Sequence, residues 1–234
     1  MIQIGLLGAS GRMGQWVSRL VGTDYNSKVR IAASAGTSSP LEALLNTEVV
    51  IDFSSPEAVM KLAHLALDRQ AKPPAFVVGS TGWKPEQRKA LESLSSRTQV
   101  LVSANFSTGV LALLETLKLC APTFLKLGYT PVIVESHHEH KKDAPSGTAL
   151  ALQRAISSEE VQTHSVRAGE VIGDHEVTFY GPADHITLGH FAQDRSVFAR
   201  GALDVAIWLA EKRKKNSSDS GLLSMETFFK ERFL

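Results

Sequence analysis

Between positions 135 and 150 the chain reads Glu135-Ser136-His137-His138-Glu139-His140-Lys141-Lys142-Asp143-Ala144-Pro145-Ser146-Gly147-Thr148-Ala149-Leu150. Imidazoles titrate near neutrality, so a histidine here is able to protonate the carbanion or enamine that hydride addition leaves behind. An adjacent lysine stabilises negative charge and donates a proton in its own right. The second half opens a helix at Pro145-Ser146-Gly147-Thr148. The first amides of a helix have no intrahelical acceptor, and Gly147 lets a ligand approach them, so a carboxylate fits there and an anionic substrate is implied. Two plainer readings compete. One is a solvated histidine-rich loop with an ordinary cap, in which Asp143 is a capping or turn residue. The other is a metal held by His138 and His140 on one strand face; no third ligand follows at a recognised spacing, so no metal is expected.

A second constellation sits near the start. Gly8-Ala9-Ser10-Gly11-Arg12-Met13-Gly14 follows an apolar strand and opens a helix, with glycine at every third position. Glycines let backbone amides approach a pyrophosphate, and the helix aims its positive end at the same charge. The spacing departs from the commonest G-x-G-x-x-G fingerprint, and a tight strand-helix turn needing small residues is the plain alternative. After the second strand, Ala32-Ala33-Ser34-Ala35-Gly36-Thr37-Ser38 carries no acidic residue to hold a ribose 2′-hydroxyl. Arg12, Thr37 or Ser38 is free to face a 2′-phosphate, which leans the expectation toward NADPH. Gly79-Ser80-Thr81-Gly82 and Ser103-Ala104-Asn105-Phe106 follow later strands, where open α/β sheets bind ligands.

The elements that must position these residues alternate in the first half. Strands are expected at 2–7, 29–34, 49–53, 76–79 and 100–103, and helices at 12–21, 56–67 and 85–94, the pattern of a parallel sheet. After Phe106 the pattern changes to one helix, a strand at 131–136, and a helix from near Ser146. The stretch 166–198, rich in β-branched and aromatic residues broken by glycine, reads as an antiparallel meander. A helix follows at 196–212, then a linker at 214–221 and a short amphipathic helix at 222–234 packing back on the first domain. The run Lys212-Arg213-Lys214-Lys215 reads as a solvated helix end. The expected fold class is α/β, a Rossmann-like parallel-sheet domain (1–106 with 212–234) plus an α+β mixed-sheet domain (107–211).

Composition bounds the function. A formal charge of +1 over 234 residues gives no global drive toward nucleic acid or an anionic membrane, so anion recognition must be local. The single cysteine, Cys120, excludes an intrachain disulfide and reads as a buried small hydrophobe. No cationic region precedes the first apolar stretch and no apolar run approaches the ~20 residues of a membrane span, so a cytoplasmic protein is expected.

The segment 135–149 closely resembles the signature of the 4-hydroxy-tetrahydrodipicolinate reductase (dihydrodipicolinate reductase) family. Gly8 to Gly14, Val50-Ile51-Asp52-Phe53-Ser54, Gly79-Ser80-Thr81-Gly82-Trp83, Ala104-Asn105-Phe106-Ser107 and Arg167-Ala168-Gly169 are similar to further landmarks of that family. The resemblance implies a homotetramer that takes NADPH or NADH and a small dicarboxylate. By motif position it makes His137 the proton donor or acceptor and Lys141 a second donor, with His138, Gly147 and Thr148 binding the substrate's carboxylates. Cofactor contacts fall on Gly8, Ala9, Ser10, Gly11, Arg12 and Met13, on Gly79, Ser80 and Thr81, and on Ser103, Ala104, Asn105 and Phe106. The implied reaction is hydride transfer to the cyclic imine derived from hydroxy-tetrahydrodipicolinate, with loss of water. The chain is short between its second and third strands, and the acidic ribose contact common in the family falls near Gly36 or is absent. The rivals are another small nicotinamide-dependent imine or amino-acid dehydrogenase, and a non-catalytic nucleotide-sensing protein. A sensor has no need of a proton donor beside an anion clamp.

Overall fold

The computed structural model of the chain describes residues 1–36, 39–157, 161–216 and 219–234. In chain order the first elements are β1 (Ile2–Leu7), α1 (Arg12–Gly22), β2 (Val29–Ala35), β3 (Val49–Asp52), α2 (Pro56–Asp68), β4 (Ala75–Val78), α3 (Pro85–Ser95) and β5 (Gln99–Val102). There follow α4 (Thr108–Lys126), β6 (Thr130–His137), α5 (Gly147–Ile156), β7 (Gln162–Arg167), β8 (Asp174–Tyr180), β9 (His185–Phe191), α6 (Ser196–Lys215), β10 (Gly221–Leu223) and α7 (Met225–Phe233). The chain folds into two compact units, Met1–Phe106 with Ser196–Leu234, and Ser107–Arg195.

The first unit is built on a six-stranded sheet in the order β10-β5-β4-β3-β1-β2, with every described pairing parallel. Its central strands are apolar throughout because both faces are covered: Val49, Val50, Ile51, Phe76, Val77, Val78, Val100 and Leu101 are all fully buried. The doubly wound, Rossmann-like arrangement puts the loops after β1, β3, β4 and β5 on one edge, at the carboxyl ends of the strands.

Two expectations for the tail are corrected. Helix α6, assigned from the sequence to the second domain as far as 211, packs on α1, β1, β3 and β4 in the first unit. The segment read as linker running into a helix contains a sixth strand: Leu222 pairs with Val100 and Leu223 with Leu101. Three residues are too few to show a period, and β5's open edge supplies what their sequence does not. Ser217 and Ser218 of that expected linker lie outside the described residues. Arg213 also departs from a solvated helix end. It is half-buried, donates to Thr98 Oγ1 at 2.7 Å and to the Pro73 carbonyl at 3.0 Å, and so ties α6 to the starts of β4 and β5.

The second unit is a four-stranded mixed sheet in the order β7-β6-β8-β9. The expected meander is only partly formed: β8 and β9 are antiparallel, whereas β7 runs parallel to β6 as the return strand of a β6-α5-β7 crossover. Helix α4 packs on α5 and β9, and α5 on β6. Ile133, Val177 and Phe179 are fully buried on the helix-covered face, while Val134, Val166, Tyr180 and Phe191 are exposed. Helix α4 is long and apolar enough by composition to cross a membrane, contrary to the expectation that no stretch approaches a span. A core helix passes the same test, and Val110, Leu111, Leu113, Leu114, Leu117 and Ala121 are buried. Cys120, on this helix, is half-buried where full burial was expected.

The closest internal packing in the first unit is where α6 crosses the end of β5's loop. A Cβ on Gly201 would lie 1.8 Å from the Phe106 carbonyl oxygen. Alanine gains about 1 kcal/mol over glycine in a free helix, but overpacking a filled contact costs about 1–3 kcal/mol. Gly201→Ala is therefore expected to lower the thermal midpoint, and a midpoint that rises would show that α6 is free to move off Phe106.

Candidate functional site

Strand β6 alternates, so Ile133, Glu135 and His137 share the helix-covered face of the mixed sheet. Register then brings distant residues beside them. Glu135 lies opposite His175 of β8 on one side and Ser165 of β7 on the other, and His137 lies opposite Arg167. The result is a cluster of polar side chains on a face that is otherwise core.

Glu135 is fully buried. Its Oε1 accepts from Arg167 Nη2 at 2.8 Å and from the Ser146 amide at 3.3 Å, and its Oε2 contacts His137 Nδ1. Burial by itself pushes this carboxyl up, yet hydrogen bonds from Arg167, Ser165 and His137 outweigh it and hold the group at about 2. The carboxylate is therefore ionised. His137 is pushed below its ordinary value by burial, with Lys141 and Arg167 adding to the effect and Glu135 opposing it. His175 stands edge-on to His137, ring centroids 5.1 Å apart, with its Nε2 3.4 Å from Ser146 Oγ. Burial first, then His137, takes His175 down to about 4, so it is neutral.

The start of α5 is locked into the same cluster. Ser146 gives its amide to Glu135 and accepts the Ala149 amide on its side chain as the helix cap. The amides of Gly147 and Thr148 come next, in a first turn without intrahelical acceptors. A Cβ on Gly147 would meet nothing within 4 Å, so the approach to these amides is open. The loop between β6 and α5 is held where it leaves β6: Ala168 donates to the His137 carbonyl at 2.9 Å, and Glu139 to the carbonyl of Gly169 at 3.1 Å. Gly169 makes that turn at φ 47°.

Of the remaining predicted residues in this unit, Lys141 is half-buried and pairs with Asp143 at 2.8 Å. Asp143 is thus an ion-pair partner, while the cap is Ser146. His138 and His140 do not share a strand face, because β6 ends at His137; their rings lie 6.4 Å apart and His140 is exposed. A different trio, Glu135, His137 and His175, brings potential ligand atoms within 4.8 Å of one another. Its chemistry does not suit a cation, since Arg167 already neutralises the carboxylate and His137 Nδ1 is bonded to it. Glu135, Arg167 and His175 carry no role in the sequence reading. His137 and Arg167 are adjacent only through parallel register across a helix crossover, which no local pattern signals.

In the first unit the three predicted cofactor loops are knitted through the end of β3. Gly8 turns at φ 85° with a Cβ position 2.6 Å from the Phe53 carbonyl oxygen, and a Cβ on Gly79 would strike the Phe53 ring at 2.4 Å. Phe53 meets Phe106 edge-on at 5.8 Å. The buried Asp52 carboxylate accepts from the Ser54 amide at 2.8 Å and the Ser80 amide at 3.2 Å, joining the loops after β3 and β4. Ser80, Thr81, Ser103 and Ala104 line a cavity of about 500 Å³ together with Trp83, Arg88, Leu222 and Thr227. The last two come from the unexpected strand β10 and the start of α7. Phe106, expected to touch a cofactor, has a buried side chain that packs as core. Ser103 Oγ accepts the Asn105 amide at 3.1 Å. Thr37 and Ser38 lie outside the described residues.

The glycine loop passes a test for a pyrophosphate. Helices α2, α4, α5 and α7 are each capped by a serine, at Ser55, Ser107, Ser146 and Ser224, whereas α1 begins at Gly11 with no side-chain cap and no acid in its first turn. Gly14 is glycine for packing, its Cβ position lying 2.2 Å from the Gly8 carbonyl. Gly11 has the ordinary backbone angles φ −75° and ψ 165°, and its Cβ position comes no nearer than 3.3 Å to other protein atoms. The neighbour at 3.3 Å is the Gly8 carbonyl oxygen, so even a methyl at Gly11 would press on the turn, and the site's fit to an anion rests on the helix start that no side chain caps. Exposed Arg12 stands beside it.

Family models agree with this organisation. Residues 2–106 match the N-terminal model of dihydrodipicolinate reductase and residues 109–228 match the C-terminal one. A 4-hydroxy-tetrahydrodipicolinate reductase from Rickettsia rickettsii is 36% identical across 98% of this chain and 100% of its own. Another from Campylobacter jejuni is 32% identical across 96% of this chain and 100% of its own. Among solved structures, a dipicolinate-bound dihydrodipicolinate reductase from Paenisporosarcina sp. TG-14 shares the fold with a TM-score of 0.72 at 22% identity, covering 96% of this chain and 97% of the other.

The buried ionisable cluster sets the acid stability. His175 takes a proton in the folded state only near pH 4, against an ordinary 6.5. Between these values the unfolded chain binds a proton that the folded chain does not, so this contribution is complete above 6.5 and declines as pH falls toward 4. Glu135 continues the loss between 4.5 and about 2. Denaturant titrations across the upper window should show stability falling with pH in the parent and a shallower fall in His175→Asn. Equal slopes would remove His175 from the effect.

Proposed function

The chain belongs to the dihydrodipicolinate reductase family and is an oxidoreductase, and from that membership we propose that it reduces the cyclic imine derived from 4-hydroxy-tetrahydrodipicolinate, with loss of water, giving tetrahydrodipicolinate. Lysine and diaminopimelate synthesis is the setting this activity serves. The observation that carries the reading is the cluster at the end of β6. One ring nitrogen of His137 is committed to a buried carboxylate, Lys141 lies close by, and the first turn of α5 follows at Gly147 and Thr148, with open space over Gly147.

On this reading a substrate carboxylate binds the amides of Gly147 and Thr148, with His138 offering a further hydrogen bond and Lys141 positive charge. Lys141 then exchanges Asp143 for the substrate. A nicotinamide cofactor, when bound, supplies the hydride. Nε2 of His137 delivers a proton to the carbon that becomes electron-rich, and the ring is left neutral with its Nδ1–H still donated to the Glu135 carboxylate. The dianionic substrate adds negative charge beside His137 and so opposes the burial that otherwise keeps the ring unprotonated.

The cofactor is held by residues 8–13, with Gly79, Ser80 and Thr81 and with Ser103, Ala104 and Asn105 along the cavity edge; Phe106 contributes backbone only. No carboxylate follows β2 before Glu42, so nothing there repels a 2′-phosphate, and NADPH is accepted at least as well as NADH. The assembly is a homotetramer, for which the exposed apolar face at Val134, Val166, Tyr180 and Phe191 is the supporting feature. Analytical ultracentrifugation tests it, a monomer at micromolar concentration being the contrary result.

The activity is tested by coupling the chain to a dihydrodipicolinate synthase and following each reduced cofactor near ~340 nm. Oxidation dependent on the synthase product is expected, and none with either cofactor overturns the proposal. His137→Ala should lower turnover by about 10² or more while leaving cofactor affinity nearly unchanged. Gly11→Val should do the reverse in a direct binding titration, weakening the cofactor with the fold retained. A Gly11→Val variant that keeps full affinity would place the cofactor elsewhere.

A further inference from the structure

Among the described residues of the second unit, Glu135 is the charged group with least exposure, and its partners reach it from separate elements. Oε1 accepts from Arg167 of β7 and from the Ser146 amide at the start of α5, while Oε2 faces Nδ1 of His137. A carboxylate pinned on two sides has no freedom to follow a moving ring. The ring must instead conform to it.

The opposite side of the ring is kept clear by a different residue. A Cβ on Gly173, just before β8, would lie 3.2 Å from His137 Nε2 and 3.5 Å from its Cδ2. Gly173 has no unusual backbone angle to account for it. The imidazole therefore has one nitrogen engaged by a buried anion and the other left with room above it.

We propose that Glu135 is a positioning residue that takes the Nδ1 hydrogen of His137, so fixing the ring with Nε2 as the nitrogen that exchanges a proton with substrate. This rests on the reading of His137 as the proton donor. Neutral imidazole exists as two tautomers, and a carboxylate at Nδ1 selects the one whose Nε2 is unprotonated after donation and ready to be recharged. The same anion stabilises the imidazolium from which the proton leaves. The charge balances across the transfer: His137 loses a proton from Nε2 to the substrate carbanion, so the His137–Glu135 pair passes from neutral to singly negative as the carbanion is neutralised, and Glu135 stays ionised throughout. Among the described residues, the groups that face His137 are Glu135 on its own strand, Arg167 on β7, His175 on β8 and Lys141 in the following loop, with Ser146 and His190 of β9 beyond His175. Arg167 and Lys141 disfavour a charged ring, burial does the same, and Glu135 is the one anion in direct contact.

The test compares Glu135→Gln with the parent by two readouts. Histidine ¹⁵N spectra give the tautomer and titration of His137 without substrate or cofactor. In the parent, Nδ1 is expected to carry the hydrogen at high pH; in Glu135→Gln the ring should become a tautomer mixture and titrate at lower pH. In the coupled assay, kcat should fall by about 10² with little change in cofactor KM. The descending limb of the kcat/KM profile should move to lower pH, because the ring now loses its proton earlier. Glu135→Asp, which restores the anion, should return the limb toward the parent position. Should Glu135→Gln fail to fold for want of a partner to Arg167, Glu135→Gln combined with Arg167→Gln removes both charges and is read in the same way. A folded variant with unchanged tautomer and unchanged limb, losing only thermal stability, overturns the proposal and leaves Glu135 a packing residue. Absence of reductase activity in the parent overturns the function instead, while the spectra still decide Glu135.

Discussion

An ionised carboxylate inside a protein is costly, of order several kcal/mol, unless its oxygens are filled and its charge is met. Glu135 satisfies that condition with the Arg167 guanidinium and Ser165 side chain of β7, the Ser146 amide and the His137 imidazole, drawn from three separate places in the chain. Satisfying the charge thus fixes three things together: the edge strand β7, the start of α5 and the ring of His137. The candidate site of the second unit inherits its geometry from this arrangement. Helix α5 begins where it does because Ser146 donates its amide to Glu135 and accepts the Ala149 amide on its hydroxyl oxygen, which places Gly147 and Thr148 in the first turn.

The electrostatic consequence is a neutral but receptive histidine. Burial disfavours charge on His137 and His175 alike; Glu135 opposes it in both, but only His137 is hydrogen-bonded to that anion. A dicarboxylate binding nearby brings negative charge to a place where protein dipoles and Lys141 already wait for it, and shifts His137 toward the protonated form as it binds. Binding and readiness to donate a proton are coupled by the same field.

Much of this was legible from residue types. The parallel sheet, its helices, the glycine loop and the segment from His137 to Thr148 announce themselves by period, by proline and serine at helix starts, and by unusual local composition. What stayed hidden has a common cause. Glu135 reads as an unremarked residue of an alternating strand until register sets it against His175 and Ser165. Arg167 and His175 are far away in sequence, and β10 is too short to carry a pattern. Among the glycines, spacing alone could not separate Gly8 and Gly14, whose Cβ positions overlap backbone, from Gly11, whose Cβ position is only tight against it.

The central claim is that the buried network presents a preformed dicarboxylate site at the junction of β6 and α5. A crystal structure of the protein with pyridine-2,6-dicarboxylate tests it most directly. The account predicts one carboxylate on the amides of Gly147 and Thr148, the ring beside Nε2 of His137, and the contacts of Glu135 with Arg167, Ser146 and His137 unchanged. A ligand bound elsewhere, or a Glu135 side chain released from His137 when the ligand arrives, would contradict it.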